Sequence, residues 1–519
     1  MSSQGMTTRA ALIAALGGFL MGFDASVISG VVGFIEVDFS LNKIELGWSV
    51  ASLALAATLA MLAAGPLSNR FGRKPVLRVA AILFAISALA SALAPNFSAL
   101  VMARIIGGLG VGAALIIAPM YIAEIAPAKS RGRMVSINQL NIVIGISVAF
   151  FSNYIILNLA QLDTSWTQAL LLDSQSWRWM LGVELLPAVL YFVCLRLIPE
   201  SPRWLAMQGD DLEARRVLEL FNASEQAERE LSAIKLSLES STEKSRSGFS
   251  SLLEPALRKV MIIGLVVAIL QQITGINAVF FYAPMIFEQS GIGTDAAFMQ
   301  AVLVGVTNLV FTIVAMALID KLGRKPLLVA GVAGIAACML LLSWGFDQAS
   351  YTIDQDLLTH LAATLNTSSL ESLVGTTFNT DIAFRAALIE QLGREEFLKV
   401  EADLISGSIS IHPGIILAGI LGFVACFAVS IGPVMWVLFS ELFPNHVRGL
   451  AIAVVGLVNS SVSFLVQLLF PWQLANLGSS FTFLMYGIFA LLGLALVLWL
   501  LPETRGQTLE ELETQLVGT

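Results

Sequence analysis

Asn69-Arg70-Phe71-Gly72-Arg73-Lys74-Pro75 returns later in the chain as Asp320-Lys321-Leu322-Gly323-Arg324-Lys325-Pro326, 251 positions on. Each heptad sits between two long apolar runs, so each reads as a cationic turn joining two lipid-soluble segments. A second pair follows the first: Glu124-Ile125-Ala126-Pro127 with Arg131-Gly132 returns as Glu441-Leu442-Phe443-Pro444 with Arg448-Gly449, at an offset of 317. Pro199-Glu200-Ser201 returns as Pro502-Glu503-Thr504. The first two offsets differ by 66, and an extra segment of about that size, residues 347–411, lies in the second half. The chain is thus two parallel repeats, the second carrying an insertion.

Working outward, the composition is that of a membrane protein: 57% hydrophobic, 13% charged, mean hydropathy +0.82. Runs of about 20 apolar residues cross a bilayer core of roughly 30 Å as helices, because backbone groups in lipid must bond internally. Such runs lie near residues 10–33, 47–67, 76–94, 98–123, 135–158, 178–197, 260–287, 298–319, 326–346, 412–438, 449–470 and 480–500. The fold class expected is therefore an all-α membrane protein of twelve spans in two six-helix halves, with the bilayer as its main partner. Cations crowd the short loops after the second, fourth, eighth and tenth spans, among them Arg70, Arg78, Lys129, Arg133, Lys321 and Lys325. The positive-inside rule puts those loops and both termini in the cytoplasm.

The first run is too long for a cleaved signal peptide and holds an acid, Asp24, so it reads as a retained span. Cys194, Cys338 and Cys426 fall inside spans and read as small apolar residues, not as a disulfide framework or metal site. The net charge is −8 and the cations follow topology, so nucleic acid is not an expected partner. No phosphate-binding Gly-Lys-Ser/Thr loop occurs, and no catalytic, cofactor or metal constellation stands out, so the chain reads as neither an ATP-driven pump nor an enzyme.

The organisation expected is a six-helix half at 1–199, a linker at 200–258 and a second half at 259–519 with a short tail. Around Leu212, Val217 and Leu218 the linker alternates charge and apolar residues at helical spacing, which predicts amphipathic cytoplasmic helices. The insertion at 347–411 carries ten acids against three bases and would be external. Helical periodicity from Asp381 to Asp403 predicts a partly helical cap.

The repeated heptad, the stretch Pro199-Glu200-Ser201-Pro202-Arg203-Trp204-Leu205 and the tail Pro502-Glu503-Thr504-Arg505-Gly506 resemble the sugar porter family of the major facilitator superfamily. The likeness extends to QQITGINAVFFYAPMIF from Gln271 and GPVMWVLFSELFPNHVRG from Gly432. With GGFLMGFDASVISG from Gly17, the latter looks most like bacterial proton-coupled sugar symporters of the D-xylose type. Two places depart from the family pattern: Asn69 replaces an acid, and Ser460 stands where many relatives carry tryptophan. The resemblance implies a monosaccharide, hexose or pentose, carried with a proton through a plasma membrane, the bacterial inner membrane, by alternating access. A uniporter and a non-transporting sugar receptor are the rival readings. No cofactor is implied, and a monomer suffices.

Side-chain amides suit sugar hydroxyls because each both donates and accepts. Gln271, Gln272 and Asn277 are candidates, yet Gln272 and Asn277 lie about 140° apart on a regular helix. Gly275 between them offers a break that would bring them to one cavity. The resemblance adds Gln139, Asn308 and Trp436, with Phe281 and Tyr282 as an external lid. The plainer reading is that such amides merely tie helices together.

Charges deep in a span are costly and need partners. Asp24, Arg104 and Glu184 lie at similar depths in three spans, so Asp24 and Arg104 are expected to pair and to open when the acid takes a proton, with Glu184 in the same relay. A purely structural ion pair is the alternative. Arg73, Glu124 and Arg131 recur as Arg324, Glu441 and Arg448, and acid–guanidinium pairing between the halves would close a cytoplasmic gate.

Overall fold

The computed structural model describes residues 3–127, 131–162, 164–222, 224–244, 252, 254–361, 367–444, 447–504 and 511. Lys129, Asn445, His446, Arg505 and Gly506 lie outside the described residues. Among the described residues, twelve helical segments are long and apolar enough to cross a membrane: Gly5–Gly30, Lys43–Phe71, Arg73–Ala92, Phe97–Ile125, Arg131–Ala160, Leu172–Leu197, Pro255–Phe281, Thr294–Ile319, Arg324–Asp347, Pro413–Leu442, Arg448–Leu477 and Ser479–Leu500. They are called the first to twelfth spans, and each coincides with an apolar run of the sequence. Most extend a few residues beyond the run, because a helix continues until a cap or a glycine stops it. Asn42 starts the second span with a capping box: its Oδ1 accepts from the Ile44 and Glu45 amides, and the Glu45 carboxylate accepts from its own.

The heptad turns show why the repeat is so well kept. Gly72 and Gly323 end the second and eighth spans at φ 100° and 94°, a region where a side chain is strained. A Cβ on Gly72 would also lie 2.5 Å from Glu200 Oε2, and one on Gly323 2.8 Å from Glu503 Oε2. Each carboxylate accepts from the two backbone amides that follow its glycine: Arg73 and Lys74 for Glu200, Arg324 and Lys325 for Glu503.

Three spans are broken. The sixth is two helices, Leu172–Gly182 and Leu185–Cys194, meeting at Glu184. The seventh breaks at Gly275, φ 90°, and the tenth at Ser430, φ −125° and ψ −101°. Small residues set the close packing elsewhere: a Cβ on Gly108 or Gly112 of the fourth span would strike the Leu53 or Ala57 carbonyl of the second at 2.4 and 2.2 Å.

The halves meet through two helix pairs, second with eleventh and fifth with eighth. Near the end of the molecule remote from the basic heptads, Gly47 lies against the Leu468 carbonyl, Trp48 meets the Phe464 ring at 5.4 Å and Gln161 bonds Asp295. Deeper in, Ser147 donates to the Gly305 carbonyl at 2.9 Å.

Between the halves run three helices, Pro202–Met207, Asp211–Phe221 and Ser224–Lys244. The middle one buries Val217 and Leu218 of the predicted apolar positions, with Ala214 and Phe221, while Leu212 is 85% exposed at its first turn. The insertion folds on its own core of Tyr351, Phe384, Leu388, Phe397 and Leu404. Besides helices Asp381–Leu392 and Arg394–Ser408 it holds a small antiparallel sheet of Ser350–Thr352, flanked by Thr377–Phe378 and Ile409–Ser410. The sheet is an addition to the all-α expectation, since strands this short carry no readable alternation. The cap grips the second half where Asp381 Oδ2 accepts from the Ser479 amide and hydroxyl, both at 3.1 Å. It touches the first half where Arg394 donates to the Leu41 carbonyl at 3.0 Å.

Candidate functional site

The break at Gly275 has the consequence the helical geometry demands. After Ile273 the chain leaves the helix, and Tyr486, whose ring would lie 3.0 Å from a Cβ there, packs directly on the glycine. The turn brings Asn277 back to Gln272, and its Nδ2 donates to Gln272 Oε1 at 2.8 Å. Gln272 Nε2 donates to Gln271 Oε1 at 3.1 Å and to Asn459 Oδ1 at 3.2 Å, while Asn459 Nδ2 donates to Gln271 Oε1 at 2.7 Å and to the Ala268 carbonyl at 2.9 Å. Gln271 reaches the Gly432 carbonyl at the broken tenth span. From Asn277 the network runs on to Ser463 Oγ at 2.6 Å, which also accepts from Gln467 Nε2 at 2.8 Å.

Side-chain amides and a hydroxyl so linked can exchange partners with ligand hydroxyls. Each such bond contributes a net of roughly 0.5–1.5 kcal/mol, enough for recognition when several act together and small enough for release. Asn459, Ser463 and Gln467 were not among the candidates from sequence. Their spacing, i, i+4 and i+8 on one face of an otherwise apolar helix, is the signal that marks them.

The other candidates sit on the fifth, eighth and tenth spans and at the end of the seventh. Asn308 is buried in the eighth span, one turn from Gly305. Gln139 is exposed, on the face of the fifth span that three turns later sets Phe150 against Gly305. Trp436 is 44% exposed, its ring edge-on to Phe439 at 5.9 Å. Phe281 is half-buried, and Tyr282 is fully buried, with its hydroxyl donating to the Gln467 carbonyl at 2.9 Å and its ring 5.2 Å from Phe470.

In the first half, Arg104 Nη1 donates to both the carboxylate and the backbone carbonyl of Asp24. Both side chains are almost wholly buried, and Glu184, at the break of the sixth span, is buried near enough to feel both charges. Among the described residues, Asp24 Oδ2, Arg104 Nε and Nη2 and Glu184 Oε1 find no hydrogen-bond partner. Space for the acid comes from Gly107, where a Cβ would lie 2.7 Å from Asp24 Oδ2. Removing one member of a buried pair costs about 3–5 kcal/mol, because the other is left charged and unpaired. An incompletely bonded pair of this kind can change partners when a proton arrives.

At the basic end the two halves repeat one arrangement. Arg73 clasps Glu124 through Nε and Nη2 at 2.9 and 2.8 Å, and Arg324 holds Glu441 Oε1 through the same atoms at 3.1 and 2.8 Å. Ser201 and Thr504 each donate to the acid of their own half, at 2.5 and 2.6 Å. In this conformation each arginine pairs within its own half, and pairing between the halves is expected of the state in which the cytoplasmic gate is closed. The heptad turn places each arginine beside the fourth or tenth span of its own half, so the fork is filled locally. Arg131 is exposed, and Arg448 donates to the Phe443 carbonyl at 3.0 Å. Glu200 is pushed above the usual carboxylate range by burial, against the backbone amides of Ser201, Lys74 and Arg73, which favour its charged form.

Two parallel six-helix halves, with breaks in the seventh and tenth spans meeting at an amide network, define a secondary transporter of the major facilitator type. The chain belongs to the sugar (and other) transporter family, which matches residues 10–356 and 397–516 and leaves out much of the cap. It is similar to the arabinose-proton symporter of Bacillus subtilis, 34% identical over 98% of this chain and 95% of that one. It is likewise similar to the D-xylose-proton symporter of Escherichia coli, 35% identical over 97% and 94%. Among solved structures, the inward-open xylose transporter XylE of E. coli matches with a TM-score of 0.74 and 32% identity over 98% of this chain and 99% of that one. The proton:xylose symporter XylE bound to 6-bromo-6-deoxy-D-glucose matches with a TM-score of 0.70 and 33% identity over 99% of both.

Proposed function

We propose that this chain is a proton-coupled monosaccharide symporter of the bacterial inner membrane, working by alternating access as a monomer with both termini in the cytoplasm. The units that rock are residues 1–199 and 259–519, joined by the helical linker at 200–258. The observation that carries proton coupling is the buried Asp24–Arg104 pair with Glu184 beside it and polar atoms on all three left unbonded. The sugar, a pentose or hexose, sits between the halves against Gln271, Gln272, Asn277 and Asn459, with Gln139 and Asn308 facing them and Trp436 at the mouth. Tyr282 and Phe281 close the external side. Its relatives are named for arabinose, xylose and glucose, which supports that substrate class.

With the basic end cytoplasmic, this conformation is inward-facing: the contacts at Gly47, Trp48 and Gln161 hold the external ends together, and the cap straps them through Arg394. The arginines at Arg73, Arg131, Arg324 and Arg448, with Glu124 and Glu441, form the cytoplasmic gate when the halves rock the other way.

Uptake of labelled D-xylose and D-glucose into proteoliposomes, with and without an inward proton gradient, tests the reading. Gradient-driven accumulation by the wild type, lost in Asp24→Asn with sugar exchange retained, is expected. Equilibration indifferent to the gradient would make the chain a uniporter, and binding without flux a receptor.

A further inference from the structure

Beneath the cap, between the two halves, lies a cavity of about 310 Å³. Ser29, Phe34 and Glu36 of the first half form one wall, Glu288 and Phe298 of the second half another, and Arg385 with the helix Arg394–Ser408 the roof. The volume falls in the roughly 300–1,000 Å³ range of small-molecule sites and would hold about ten waters at about 30 Å³ each.

The charged groups on its walls already have partners, Glu288 being hydrogen-bonded to Thr294. Glu36 pairs with Lys43 at 2.5 Å, Asp38 accepts from Trp177 Nε1 at 2.7 Å, Glu401 pairs with Arg385, and Lys399 with Glu396 at 2.7 Å. Glu36, Glu401, Arg385 and Lys399 are neutralised by ion pairs, and the acids Asp38 and Glu288, bonded to neutral groups, disfavour an anion. What remains is hydrogen-bonding capacity on a hydroxyl and on a guanidinium whose charge is already paired with Glu401. Ser29 Oγ, on a residue 2% exposed, and Arg385 Nε, on one 9% exposed, have no hydrogen-bond partner among the described residues. Phe34 and Phe298 add aromatic surface. Hydrogen-bonding groups of both donor and acceptor kind, set beside aromatic rings, are the chemistry of a polyhydroxylated neutral ligand, whose hydroxyls donate and accept while its C–H face lies on a ring.

We propose that this cavity is a second sugar site, a vestibule that holds one monosaccharide of the transported class on the external side before it reaches the central amides. The inference rests on the reading of the chain as a sugar transporter, and it assigns to the cap a part in capturing substrate.

A Cβ on Gly33, which lines the cavity, meets nothing within 4 Å, so Gly33→Trp fills the space without disturbing a packed neighbour. Ala402→Trp fills it from an exposed position on the cap and guards against a folding defect in the first variant. Equilibrium dialysis of the full-length purified protein with tritiated D-xylose and with tritiated D-glucose is the assay. Two sugars per chain are expected for the wild type, and one for Gly33→Trp, Ala402→Trp and Gln271→Ala, with none left when Gly33→Trp and Gln271→Ala are combined. One sugar per wild-type chain, unchanged by either tryptophan, would overturn the vestibular site, leaving a cavity that holds only water and the transporter reading intact. No sugar bound by any form would remove the transporter reading itself.

Discussion

Replacing Gly107 by alanine tests the proton site without touching a charged group. The new Cβ would lie 2.7 Å from Asp24 Oδ2 and 2.5 Å from Ser87 Oγ, which is 0.7 and 0.9 Å inside the 3.4 Å at which ordinary contact begins. Ser87 is held by its bond to the Ala103 carbonyl at 2.9 Å, so relief falls on the carboxylate as well. Overpacking of this size costs about 1–3 kcal/mol, and a coupling energy of that order is worth roughly 5–150-fold. Gly107→Ala is therefore expected to lower gradient-driven sugar accumulation in proteoliposomes by at least about fivefold. Counterflow exchange, which needs no proton gradient, should change much less. Gly456→Ala, also within a span but with nothing within 4 Å of its Cβ, should behave as wild type. Unchanged accumulation and an unchanged pH profile in Gly107→Ala would refute the claim that the Asp24 environment sets coupling.

Other predictions follow from the same contacts. Asn459→Ala removes bonds to Gln271, Gln272 and the Ala268 carbonyl, and should weaken sugar binding by roughly 5–30-fold, about 1–2 kcal/mol, in equilibrium dialysis. Arg394→Ala removes the cap's bond to Leu41 and should raise the outward-open population, read as faster thiol labelling of a cysteine placed at Trp48. Glu288, outside the spans, has its carboxyl pushed up to about 7 by desolvation, with Thr294 opposing and Asp403 adding to the rise. A carboxyl raised on folding stabilises most below its unfolded value near 4.5, and that stabilisation is lost as pH climbs through 7. The melting temperature of the wild type should thus fall more steeply from pH 5 to pH 8 than that of Glu288→Gln.

The spans and the duplication were legible because each rests on many residues: an apolar run long enough to cross, and a heptad whose glycine, arginine and acid partner cannot vary independently. The break at Gly275 could be argued from two amides on opposite faces of one helix. The break at Ser430 is foreshadowed by Gly432 and Pro433 just beyond it, and that at Glu184 is flanked by Gly182 and Pro187, while the fit of Ser430 against Gly331 is visible only in the structure. In the site, Gln271, Gln272 and Asn277 stood out as a dense polar cluster in an apolar run. Asn459, Ser463 and Gln467 were spread over three turns, and only their shared face reveals them. The pairing of Arg73 with Glu124 rather than with the other half was hidden because identical residues recur in both halves, and sequence alone does not say which copy meets which.

The most direct test of the central claim is proton movement driven by sugar alone. In lightly buffered proteoliposomes holding the wild type, with no imposed gradient, addition of external D-xylose or D-glucose should alkalinise the external medium as protons enter with the sugar. Asp24→Asn should admit sugar with no pH change. Sugar entry through the wild type with a flat pH trace would contradict symport and return Asp24 and Arg104 to a structural role.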